Sequence, residues 1–145
     1  MRRAALLLAL GAAGLAQAGE PAGAREATAD LYARMSAGDL AGVARYVPEA
    51  GFTELDGDAV SPRHIDVAAF AGLFKSGVRV RFHVSDMREQ PLGDVVVVTG
   101  ERIGAIEPPG AMVADSLTPF TMVWARDGTG WKLHHAHLSG STPAH

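Results

Sequence analysis

The hydrophobic period of this chain changes at Gly77, and that change constrains the fold more than any other feature. Beyond it, Val78, Val80, Phe82 and Val84 alternate with Arg79, Arg81, His83 and Ser85, the period of two of a strand with one face buried. Four long strands follow, at residues 78–89, 95–106, 117–126 and 131–139. Pro91-Leu92-Gly93-Asp94, residues 107–115 with the turn Pro108-Pro109-Gly110, and Asp127-Gly128-Thr129-Gly130 separate them. Connections this short join antiparallel neighbours. Before Gly77 the period is helical. Ala27, Leu31 and Met35 mark a helix over 26–37 that ends at Gly38. Asp39 then caps a second helix over 40–47, which Pro48 stops. Phe52 to Leu55 reads as a short strand before the turn Asp56-Gly57-Asp58. Ser61-Pro62 has the order of an N-cap followed by an N1 proline and predicts a third helix over 62–75, with Ile65, Ala69, Phe70, Leu73 and Phe74 as its stripe. Helices first and an antiparallel meander after them make an α+β domain with three N-terminal helices.

The first 18 residues obey a different rule. Arg2 and Arg3 precede an apolar run of about a dozen residues and then Ala16-Gln17-Ala18, the order of a secretory signal peptide; a bilayer span needs about 20 residues. Cleavage after Ala18 would leave a domain at 26–140, preceded by a linker at 19–25 and followed by a tail at 141–145. The formal charge would move from −3 to −5 with the two arginines gone. That balance carries no basic footprint for nucleic acid. The chain has no cysteine, which excludes disulfides, thiolate metal ligands and a lipid-modified cysteine. The expectation is a bacterial protein released to the periplasm or secreted, with no membrane partner after cleavage and no cofactor.

Two stretches carry a family resemblance. Ala37-Gly38-Asp39-Leu40 resembles the Gly-Asp-hydrophobic junction of nuclear-transport-factor-2-like and SnoaL-like domains. From Thr121 to Gly140, Trp124, the turn Arg126-Asp127-Gly128, Trp131 and the run His135-Ala136-His137-Leu138-Ser139-Gly140 resemble the last hairpin of the calcium/calmodulin-dependent protein kinase II association domain. The resemblance implies a cone-like fold, three helices on a strongly curved antiparallel sheet with a pocket on the concave face. It also implies a homodimer or a ring of dimers. Nothing of the kinase is present, since no glycine-rich nucleotide loop or catalytic-loop pattern occurs.

Arg102 is the leading site candidate because it lies inside the apolar strand 95–106, where a cation needs solvent or a counter-charge. The resemblance places it on an arginine of the family pocket, where guanidinium groups hold carboxylates through forked hydrogen bonds. The competing reading is a structural pair with Glu54, Glu101 or Asp115. Two further pocket arginines of the family are replaced here by Met122 and Leu138. Near the C-terminus, period two puts His135 and His137 on one face and His134 on the other, with Leu138, unless a bulge shifts the register. The three histidines are ligand-contact candidates together with Tyr46 and Trp124. His135 and His137 would hold Zn²⁺ only with a third ligand such as Glu54 or Asp56, so no metal site is assigned. Glu54 and Asp56 are also the catalytic candidates, near where isomerase-like relatives carry a carboxylate base; the base and tyrosine positions of that comparison fall on Leu55 and Leu31. Tyr32, Phe70, Phe74, Phe82 and Phe120 read as core or pocket wall.

These features support an exported, self-associating module that binds a small anionic or carbonyl-bearing molecule. Two alternatives stand beside it: an isomerase, dehydratase or cyclase using a pocket carboxylate, and a pure oligomerisation domain.

Overall fold

A computed structural model describes residues 19–145; the expected signal peptide and its cleavage lie outside the described residues. Helix α1 (Ala24–Ala37) ends where Gly38 takes a left-handed φ of 65°, which lets Gly38 N–H and Asp39 N–H close onto the carbonyls of Met35 and Arg34. Asp39 then does two things. One of its oxygens accepts from Gly42 N at 2.9 Å to cap α2 (Leu40–Ala44), and the other takes Arg34 Nη1 at 2.9 Å to tie the two helices together. Helix α2 is shorter than the sequence pattern suggests. Pro48 has no N–H to close onto Ala44, and the carbonyls of Arg45 and Tyr46 accept instead from Lys132 Nζ (2.6 Å) and Leu133 N (2.8 Å).

The third helix also departs from expectation. Strand β1 (Phe52–Asp56) pairs antiparallel with β2 (Arg63–Ile65), and α3 (Val67–Lys75) begins only afterwards, capped by Asp66 through Ala69 N at 2.9 Å. Pairing with β1 claims Arg63, His64 and Ile65, so Asp66, not Ser61, becomes the cap.

Strands β3 (Arg79–Leu92), β4 (Val95–Glu107), β5 (Ser116–Asp127) and β6 (Gly130–Leu138) form the antiparallel meander, and β7 (Thr142–Pro143) adds to β5. The spatial order is β2-β1-β6-β5-β4-β3. The β1–β6 contact is parallel, so the sheet is mixed rather than wholly antiparallel. No hairpin joins these two strands, which are separated in sequence by β2, α3 and the first three strands of the meander.

Three irregularities bend the sheet around its core. Strand β3 bulges between Ser85 and Arg88, where Asp86 takes a φ of 51°. Gly104 on β4 has a φ of 142°, and a Cβ there would lie 1.7 Å from the Arg81 carbonyl oxygen, so only glycine fits. The third is a bulge in the β5–β6 register at Val123/Trp124, which leaves His134 unpaired. On the concave side, Leu31 and Val43 from the helices meet Val98, Trp124 and Leu133 from the sheet, all fully buried. Ser36 Oγ pins α1 to β3 by accepting from Phe82 N at 2.9 Å.

Candidate functional site

A cavity of about 310 Å³ opens between the helices and the concave face of the sheet. That is the low end of the range for small-molecule sites. Alternation decides which sheet residues reach it: Glu54 and Asp56 from β1, Ala136 and Leu138 from β6, Met122 from β5 and Arg102 from β4 all line it. The helices supply Leu31, Tyr32 and Met35 on one side and Ala69, Phe70 and Leu73 on the other. Apart from its charged ends the wall is apolar.

Arg102 is half-buried in this wall, its guanidinium carbon 4.2 Å from the centre of the Phe82 ring. Among the described residues no carboxylate lies within ion-pair distance of it. Glu54 pairs with Arg63 at 2.6 Å, Asp115 pairs with Arg81 at 3.0 Å, and strand alternation turns Glu101 to the opposite face. The structural-pair reading of Arg102 therefore fails on each of its three partners.

Tyr32 is 2% exposed, and burial pushes its hydroxyl up to about 12; the Arg102 charge opposes that rise and the Glu54 charge adds to it. The hydroxyl stays protonated at neutral pH and donates to no acceptor among the described residues. The cavity thus presents a forked cation and an O–H donor beside each other. Sequence patterning places Tyr32 in the wall but does not reveal this role, because tyrosine and phenylalanine fill a helical stripe equally well.

The other candidates lie elsewhere. Glu54 and Asp56 line the cavity, held by Arg63 at 2.6 and 3.4 Å. Arg63 carries no signal in the sequence; only the β1–β2 register sets it opposite Glu54. Trp124 is fully buried and meets Tyr46 edge to face (5.8 Å between centroids, 88°) in the core, outside the cavity lining. The Tyr46 hydroxyl donates to Asp30 at 2.5 Å, and burial together with that bond holds it above the ordinary tyrosine range. His134 is the unpaired residue of the β6 bulge and is exposed, so Leu133 takes the inward position that strict alternation assigns to it. His135 and His137 face away from the cavity, across the sheet from Glu54 and Asp56, so neither carboxylate can join them on a metal. Among the described residues no group of three His, Asp or Glu side chains is placed to hold one. A larger, open depression of about 480 Å³ beside β3 has its charges matched: Glu107 takes Arg79 and Arg81, each at 3.0 Å.

Residues 24–144 match the family model described as a SnoaL-like domain. The chain belongs to this family. Its fold is that of the nuclear-transport-factor-2-like superfamily. An NTF2-like protein of unknown function in nutrient uptake from Rhodospirillum rubrum is 25% identical (76% of this chain and 91% of that one covered, TM-score 0.64). The hub of the calcium/calmodulin-dependent kinase II of S. rosetta is 21% identical over 86% of this chain and 99% of that one, with a TM-score of 0.62. A conserved protein of Planctomyces limnophilus is 12% identical over 83% and 94%, with a TM-score of 0.68. No curated protein matches this SnoaL-like chain by sequence. Among its described residues no helix is long and apolar enough to cross a membrane.

Proposed function

We propose that this SnoaL-like protein is an exported, self-associating binding module whose cavity takes a small carboxylate or carbonyl compound, anchored on Arg102 and Tyr32. The observation that carries the reading is the unpaired guanidinium in an apolar cavity. A partly desolvated cation without a counter-charge costs free energy, and an anion delivered by a ligand offsets that cost with two forked, charge-assisted hydrogen bonds. Met122 and Leu138 narrow the polar part of the wall to one end, so the rest of the ligand is apolar or short. A thermal-shift series of small carboxylates and hydroxy acids tests this. At least one member stabilises the protein, and a flat response throughout, with no ligand retained in native mass spectrometry, leaves oligomerisation as the remaining role.

Self-association draws on the likeness to a kinase hub and on the outer sheet face. The 14, 13, 12 and 9 residues of β3 to β6, at about 3.3 Å each on strands about 4.8 Å apart, span roughly 760 Å², near the roughly 800 Å² per partner of a stable interface. Export draws on Arg2, Arg3 and the Ala16-Gln17-Ala18 site, with Gly19 as the mature N-terminus; recovering Met1 in the osmotic-shock fraction contradicts it. A second reading has one observation in its favour: Glu54 and Tyr32 line the same cavity, as a proton-transfer site for an isomerase or dehydratase requires. Arg63 engages Glu54 in the resting structure, so this reading also needs Arg63 to move aside.

A further inference from the structure

Building on the assignment of Arg102 as the anion anchor, we propose that the ligand is a zwitterion, with a carboxylate at Arg102 and a cationic ammonium at the opposite end, held by Glu54 and Asp56. The cavity is electrically divided. At its far wall one guanidinium, Arg63 Nη2, is shared by two carboxylates, at 2.6 Å from Glu54 and 3.4 Å from Asp56, so that end carries an excess of one negative charge. Toward the other end Arg102 carries one positive charge, and among the described residues no carboxylate lies within ion-pair distance of it. All four side chains line the same cavity.

Their separation follows from the register. Asp56 pairs with Leu138, Leu138 with Phe120 and Phe120 with Gly100, so Asp56 and β4 stand three strands apart, about 14 Å along the sheet. Arg102 lies two residues further along β4. Among the described residues Arg102 pairs with neither carboxylate, and the ligand length that spans the gap is what the titration reads. Tyr32, whose hydroxyl feels the charges of both Arg102 and Glu54, adds an O–H donor beside Arg102 for the ligand's carboxylate. An alkanoate satisfies one end and leaves the excess negative charge at the other unanswered. A dicarboxylate meets repulsion there. An ω-amino carboxylate complements both ends, with a hydrogen-bonded ammonium contributing the larger increment typical of charged donors.

The test is isothermal titration of the purified protein with unbranched ω-amino carboxylates of three to seven carbons, alongside alkanoates and dicarboxylates of matched length. At the best length the amino acid binds about tenfold tighter than the alkanoate, and the dicarboxylate binds weakest. Asp56→Asn, an isosteric change at a partly exposed position, removes most of that preference, lowering amino-acid affinity without weakening the alkanoate. Glu54→Gln serves as the second variant. Alkanoates binding as tightly as amino acids, or a preference that survives both variants, overturns the proposal and leaves the anion anchor standing. Binding of any series that persists in Arg102→Leu, or no binding by any series, overturns the anchor and the zwitterion together.

Discussion

Replacing Arg102 by leucine separates a binding residue from a structural one. In the native protein the guanidinium stacks on Phe82 at 4.2 Å, worth about 0.5–1 kcal/mol, and lies beside the Tyr32 hydroxyl. Against that loss, leucine relieves the cost of a partly desolvated charge with no counter-ion, and its side chain extends an apolar wall that already includes Met122 and Leu138. The terms oppose each other and are similar in size, so the net change is expected to stay within about 1 kcal/mol. In a domain of this length that is a shift in Tm of about 4 °C in either direction. Ligand response behaves differently: a carboxylate at a hundred times its Kd stabilises the native protein by about 2.7 kcal/mol, and the variant loses that increment. Paired thermal melts of both proteins, with and without ligand, read both quantities. A loss of about 3–5 kcal/mol in the unliganded variant refutes the reasoning, because it is the size expected for a buried ion pair broken on one side.

The cap of α3 is tested by two alanines: Asp66→Ala costs about 1 kcal/mol in urea unfolding, while Ser61→Ala stays within about 0.5 kcal/mol, since Asp66 and not Ser61 accepts from the helix N-terminus. Gly104→Ala places a Cβ against the Arg81 carbonyl at a φ that non-glycine residues avoid, and is expected to cost at least about 2 kcal/mol by the same assay. Glu107 is buried, and its hydrogen bonds from Arg81 and Arg79 hold its carboxyl below the ordinary value of 4.5. The unfolded chain therefore takes up this proton first, so the stabilisation is complete above pH 4.5 and is lost as the pH falls through the lower folded value. Urea midpoints between pH 5 and pH 3 fall more steeply for the native protein than for Glu107→Gln.

What the sequence discloses here is what local periodicity encodes. The meander is readable because Val78, Val80, Phe82 and Val84 alternate with polar residues over hairpin-length spacings, and the end of α1 is readable because Gly38 is the residue that tolerates a left-handed turn. Strand β2 is not readable: its three residues hold no period, and Ser61-Pro62 is a sound helix start until β1 arrives to pair with Arg63, His64 and Ile65. The parallel β1–β6 contact is hidden for the same reason, as its register joins Thr53 to His135 across most of the domain. Arg102 stands out because an arginine is costly inside a run of Val and Ile. Arg63 does not, since an arginine beside a turn is ordinary until the sheet places Glu54 opposite it.

The last strand shows how one unpaired residue reassigns a site. Counted at period two from Leu138, the inward positions are Ala136, His134 and Lys132, which would put an imidazole in the cavity and Leu133 on the outer face. Burial argues against that count. It would leave a leucine outside and bring the ammonium of Lys132 toward the apolar wall, whereas setting His134 aside as a bulge lets Leu133 oppose Trp124 in the core and frees Lys132 to reach the Arg45 carbonyl at 2.6 Å. The bulge gives up ladder pairing at one exposed residue and gains a fully buried leucine, an exchange worth about 2 kcal/mol from apolar burial alone. Among the described residues the cavity consequently has no imidazole in its wall, and its polar chemistry rests on Arg102 and Tyr32 toward one end and on Glu54, Asp56 and Arg63 toward the other.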